Sequence, residues 1–100
     1  MKPLLVRELL GEALRERRMS QGRTLRDVSL SARVSLGYLS EVERGQKEAS
    51  SELLSSICTA LHVPMSEIFR RVSEKLLVAE IENGENPTAP TTRRGNVVAA

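Results

Sequence analysis

The sequence predicts an all-α domain of five helices followed by a disordered tail, and three observations carry that prediction. Aromatic residues make up only 2% of the chain against a hydrophobic fraction of 40%. Any core is therefore built from Leu, Val, Ile, Met and Ala, a palette that suits packed helices better than strands. Apolar residues recur at helical spacing in successive stretches separated by polar or glycine-bearing breaks. From Asn83 onward the chain turns to Asn, Gly, Pro and Thr with almost no apolar content, a composition that cannot bury a core. One hundred residues allow one modest domain, assigned to 1–82, with 83–100 as the tail.

The first helix is predicted from about Leu4 to Met19, with Leu10, Ala13, Leu14 and Arg17–Arg18 at helical spacing. Gly11 within it leaves room for another helix to approach closely. Ser20-Gln21-Gly22-Arg23 breaks the pattern. Thr24 stands three residues before Asp27, a capping box that opens a short helix with Leu25, Val28, Ser29 and Ala32 on its inner face. Ser35 is a second N-cap, and the helix after it turns Leu39 and Val42 inward before Gly45 ends it. After the polar loop Gln46–Ser50, Ser51 is expected to cap a fourth helix with Leu53, Leu54, Ile57, Cys58 and Leu61 as its apolar stripe. Pro64, a favourable first-turn proline, opens a fifth helix from about Met65 to Glu82.

Composition excludes several classes of function. No run of eighteen apolar residues exists, Lys2 is not followed by a signal-peptide core, and Leu4–Leu14 is interrupted by Arg7, Glu8 and Glu12. No membrane association is expected. The single cysteine, Cys58, excludes an internal disulfide and fits a reducing cytoplasm. Cys58 and His62 stand four apart, but no second pair completes a metal site, so a core cysteine and a surface histidine are expected. Nucleophile–base pairs, glycine-rich phosphate loops and catalytic carboxylate pairs are absent, so the chain reads as neither an enzyme nor a cofactor carrier. The net charge of +2 is small, but residues 1–50 hold ten Lys/Arg against seven Asp/Glu, and residues 51–82 hold three against five. The basic excess lies in the half that carries the two capped short helices.

Those helices, capped at Thr24 and Ser35, are separated by a tight turn at Arg33-Val34, too short for an antiparallel pair. They cross steeply, and the second is propped outward. Its outer face mixes Ser35, Gly37 and Ser40 with Leu36, Tyr38 and Glu41; small polar residues there let a helix sit deep in a DNA major groove. A surface helix without a partner would show the same pattern.

The run Leu10-Gly11, Leu14-Arg15, Arg18, then Thr24-Leu25-Arg26-Asp27-Val28-Ser29, Val34-Ser35, Tyr38-Leu39-Ser40 and Val42-Glu43-Arg44-Gly45 resembles the Cro/CI (Xre-type) helix-turn-helix family. Leu53–Val63 and Glu67-Ile68-Phe69 are similar to that family's fourth helix and the start of its fifth, so the resemblance covers about residues 8–70 in register. More narrowly, Val34–Gly45, Gln46–Leu54 and the Val-Ala-Ala ending look like the actinobacterial regulators of Clp protease genes, which are transcriptional activators. The resemblance implies a lambda-repressor-like DNA-binding domain. It places Ser35, Leu36, Gly37, Ser40 and Glu41 against bases, Thr24, Leu25 and Arg26 at a phosphate before the recognition helix, and Arg44, Gln46 and Lys47 at one after it. Family members often carry Gln where this chain has Leu25, Leu36, Gly37 and Glu41, so amide contacts to adenine are lost. Leu36 can only pack on a thymine methyl, Gly37 offers no side chain, and Glu41 can accept from a cytosine amino group. Affinity then rests mostly on phosphate contacts from Arg26, Tyr38, Arg44 and Lys47. Arg18 and Glu43 correspond to a partly buried ion pair of the family, whose role is orientation. An antitoxin-like or phage-type repressor, or a protein-interaction adaptor on this fold, are the alternative readings.

The fifth helix is longer than the module needs. Met65, Ile68, Phe69 and Val72 can close the core, while Val72, Leu76, Leu77, Val78, Ala79 and Ile81 are expected to form a homodimer interface. A symmetric dimer would set two recognition helices about one DNA turn apart. Folding of these residues back onto Leu4, Leu5 and Leu9 is the alternative, and both arrangements can coexist. The ending Asn96-Val97-Val98-Ala99-Ala100 resembles tags read by the Clp protease, and activation implies a contact with RNA polymerase.

Overall fold

A computed structural model describes residues 5–84, in which every regular element is a helix: α1 (Val6–Ser20), α2 (Leu25–Ala32), α3 (Leu36–Glu43), α4 (Ser51–Ala60) and α5 (Met65–Glu82). Leu4 and the tail from residue 85, including Val98–Ala100, lie outside the described residues. α1 packs on α3 and α5, α2 on α3 and α4, and α4 on α5. Leu14, Val28, Leu39, Val42, Ile57, Cys58, Leu61 and Ile68 are fully buried at the centre, so every helix contributes to one core. Each such aliphatic side chain contributes about 1.5–3 kcal/mol on burial. No helix among the described residues is long and apolar enough to cross a membrane.

Local chemistry sets the helix starts. The Asp27 amide donates to Thr24 Oγ1 at 3.0 Å while the Thr24 amide donates to Asp27 Oδ2 at 3.2 Å, completing the capping box of α2. Ser35 Oγ accepts from the Tyr38 amide at 3.0 Å and caps α3. The cap of α4 is Ser50, not Ser51: Ser50 Oγ accepts from the Leu53 amide at 3.2 Å, and Ser51 is already helical. Two adjacent serines offer the same hydroxyl, and the closing hydrogen bond from the Leu54 amide to the Ser50 carbonyl, at 2.8 Å, decides between them. Pro64 occupies the N-cap position of α5, one residue before the first turn, with extended ψ of 145°.

Three further departures concern side chains. Phe69, expected to close the core, is 46% exposed, whereas Val72, expected at a dimer interface, is buried in the protomer's own core. Successive helical residues are about 100° apart, so the inward arc set by Ile68 and Val72 carries Phe69 toward solvent. Leu53 is only half-buried at the edge of the α4 stripe.

Polar side chains lock the helices in place. Arg23 Nη1 donates to the Ala60 carbonyl at 2.6 Å, Gln21 Nε2 to that of Leu61 at 2.7 Å, and Arg17 Nη2 to that of His62 at 3.2 Å. These carbonyls end α4, where oxygens have no intrahelical partner and the helix dipole is negative, so cations and amide donors satisfy both needs. The α1–α2 turn is thereby pinned to α4, which fixes where α2 begins. On the opposite side Lys75 of α5 reaches Glu12 and Glu16 of α1 at 2.6 and 2.7 Å. Burial works against the Lys75 charge, but hydrogen bonds to both carboxylates outweigh it and its pKa rises.

Candidate nucleic-acid interface

The turn between α2 and α3 is short because Arg33 adopts the left-handed conformation, φ 60° and ψ 41°, and ends α2 within one residue. Chain direction reverses sharply there, and α3 begins three residues later. Leu39 and Val42 are buried beneath α3, which leaves Ser35, Leu36 and Gly37 exposed at its start. Nothing lies within 4 Å of where a Cβ on Gly37 would stand, so the first turn of α3 is open to a surface brought against it. Tyr38, Ser40 and Glu41 follow, each partly buried.

Arg26 projects from the first turn of α2 and is exposed, as is Thr24. Leu25 between them is half-buried and packs against the core, so its side chain supports α2 and only its backbone is placed to meet a phosphate. Arg44 is the C-cap of α3; its guanidinium donates to Ser40 Oγ and, at 3.2 Å, to Gln46 Oε1. Lys47 Nζ lies 3.5 Å from Glu41 Oε1. A cleft between α1 and the end of α3 brings Leu25, Ser40, Arg44 and Gln46 together with Arg15. Arg15 was not singled out in the sequence; its position one helical turn before Arg18 was the available signal.

The orientation of α3 is set from behind. Arg18 Nε donates to Glu43 Oε2 at 2.8 Å and Nη2 donates to Oε1 at 3.0 Å, a bidentate pair whose side chains are 12% and 5% exposed. The remaining Arg18 Nη1 donates to the Arg23 carbonyl at 2.8 Å, so one guanidinium joins α1, the α1–α2 turn and α3. The bond to Glu43 raises the Arg18 pKa, and the pair is charged at every accessible pH. Beyond α3, Gly45 has φ 72° and its carbonyl accepts from Arg7 Nε at 3.0 Å. A Cβ there would come within 2.7 Å of Glu8 Cγ, so the loop is pressed against α1 in a way only glycine allows.

Burial raises the Cys58 pKa and keeps the thiol neutral in the core; His62 is exposed. Among the described residues no cluster of three His, Cys, Asp or Glu could hold a metal ion.

Residues 14–68 match the helix-turn-helix family. Over 72 residues the chain is 67% identical to the transcriptional regulator ClgR of Mycobacterium tuberculosis, covering 72% of this chain and 64% of that protein. The chain thus spans a little under two thirds of that relative's length. Its fold is similar to the crystal structure of the clp gene regulator ClgR from Corynebacterium glutamicum, with a TM-score of 0.78, 42% identity, and coverage of 83% of this chain and 88% of that one. A restriction-modification controller protein, C.AhdI from Aeromonas hydrophila, matches with a TM-score of 0.61 and 27% identity over 62% of this chain and 94% of its own. With that match running through α2 and α3 at the centre of the domain, the chain belongs to the Xre-type helix-turn-helix family of regulators.

Proposed function

We propose that the chain is a cytoplasmic, sequence-specific DNA-binding transcriptional regulator that binds its operator as a homodimer and activates Clp protease genes. One observation carries the DNA-binding reading: α3 presents an open first turn at Ser35–Gly37 while Leu39, Val42 and the Arg18–Glu43 pair hold its other side rigidly to the core. A helix so mounted can enter a major groove without rearrangement. In this reading Ser35, Leu36, Gly37, Ser40 and Glu41 face bases. Thr24, Arg26 and the Leu25 backbone meet one phosphate, and Tyr38, Arg44, Gln46 and Lys47 meet others. Clp genes as targets, and activation, are proposed from the likeness to the ClgR proteins.

The dimer reading rests on the second half of α5, where Leu77 is 45%, Val78 53% and Ile81 58% exposed, with Leu76 and Ala79 partly buried beside them. Val72, committed to the core, is no longer part of the proposed interface. An apolar strip of this size on a small chain calls for a partner, and a second α5 would pair the two weak base readers at a fixed distance. Activation would add a contact with RNA polymerase, and the ending Val98–Ala100 is proposed as a segment read by Clp protease.

Selection of bound sequences from random duplex DNA tests the whole reading. An inverted repeat with half-sites about one helical turn apart is the expected product. Failure to retain any DNA at low salt would overturn it.

A further inference from the structure

We propose that Glu41 is a specificity-determining residue that acts by weakening the binding of wrong sequences, through its exchangeable pairing with Lys47. The proposal rests on the DNA-binding reading above and deepens it. Both polar side chains in the second turn of α3 are held by cations that follow the helix: Arg44 donates to Ser40, and Lys47 stands 3.5 Å from Glu41. Of the two carboxylates in α3, Glu43 is turned inward to Arg18, so Glu41 alone carries negative charge on the outer side. The Glu41 and Lys47 side chains are 41% and 56% exposed, which makes their pair a surface contact that a phosphate can outcompete.

The consequence follows from charge alone. If Lys47 leaves for a phosphate, the Glu41 carboxylate stands unpaired beside a polyanion. Only an amino group on a base edge, the cytosine N4 group above all, can then compensate it. On DNA that offers none, Lys47 stays with Glu41 and one phosphate contact is not made, so binding is weaker. On DNA that offers one, the lysine goes to the phosphate and the carboxylate to the base, and both gains arrive together. A recognition helix that carries Leu36 and Gly37 has few groups that reward a correct base, and a carboxylate supplies discrimination by penalising incorrect ones.

The test compares the full chain with its Glu41→Gln and Glu41→Ala variants by fluorescence anisotropy, on the selected operator and on random-sequence duplex, across a range of salt. Glu41→Ala removes the charge without supplying an amide that could read adenine. Both variants are expected to bind random DNA roughly 10-fold more tightly and to lose roughly 10-fold in the ratio of operator to random affinity. The salt dependence on random DNA should steepen by about 0.9, the value of one added phosphate contact. Glu48→Gln removes a carboxylate from the following loop, where Glu48 lies 3.9 Å from Arg7, and is expected to leave the ratio unchanged. An equal gain on both DNAs in the Glu41 variants, or a matching change in Glu48→Gln, reduces the effect to net charge and overturns the proposal. If the unsubstituted chain prefers its operator and the Glu41 variants keep that ratio, this proposal alone falls. If the unsubstituted chain binds no DNA, the functional reading falls with it.

Discussion

The backbone of Gly11 in α1 lies so close to Val42 that a Cβ there would stand 2.3 Å from the Val42 carbonyl oxygen and 2.7 Å from that of Glu43. These atoms are backbone and cannot swing aside. Gly11→Ala must push α1 away from the end of α3, and overpacking of this kind costs about 1–3 kcal/mol. Urea denaturation should show that loss. Operator affinity should fall further than stability alone explains, because the recognition helix itself is displaced.

The Arg18–Glu43 pair predicts an asymmetric response. Arg18→Met leaves the buried Glu43 carboxylate without its partner and should cost about 3 kcal/mol. Adding Glu43→Leu removes the orphaned charge and should recover much of that stability, while DNA affinity stays reduced because the α1–α3 link is gone. Thermal unfolding of the two variants, read beside their operator affinities, checks both halves.

Arg26 is exposed in the first turn of α2 with no base-facing role. Arg26→Ala should weaken operator and random DNA by the same factor and flatten the salt dependence by about 0.9. A change confined to the operator would make Arg26 a base reader instead.

In α5 the two halves should behave oppositely. Leu77→Glu combined with Ile81→Glu places charge on the exposed strip and should yield a folded monomer in sedimentation, with operator affinity reduced roughly 100-fold by loss of the second half-site. Val72→Asp puts an unpaired carboxylate into the core and should unfold the protomer, visible as lost helical circular dichroism.

Lys75 predicts a loss of stability in base. Its pKa is raised in the folded chain, so its contribution is complete below the ordinary lysine value and disappears as pH climbs through the raised one. Lys75→Met should remove that alkaline limb from the stability profile and cost about 1 kcal/mol at neutral pH. An unchanged limb would assign it to other groups.

Much of the fold was legible because its signals are local. Thr24 and Asp27 form a capping box from spacing alone, and the stripe Leu54, Ile57, Cys58 and Leu61 faces inward whichever serine caps α4. For the same reason the choice between Ser50 and Ser51 was not legible: the two caps differ by one hydrogen bond and leave the stripe where it is. Arg17, Gln21 and Arg23 carried no sequence signal, because their partners at Ala60, Leu61 and His62 lie thirty-seven to forty-five residues away.

Sequence alone determined that this chain is helical, where its helices lie and that two of them form a helix-turn-helix, since propensity, capping and periodicity act over a few neighbouring residues. Tertiary structure decided which residues are spent on the core and which remain for a partner. Leu25 and Val72 went inward and Phe69 outward, and Lys47 came to rest on Glu41. Those outcomes depend on how helices distant in the chain pack, and close packing admits only one side chain to each space.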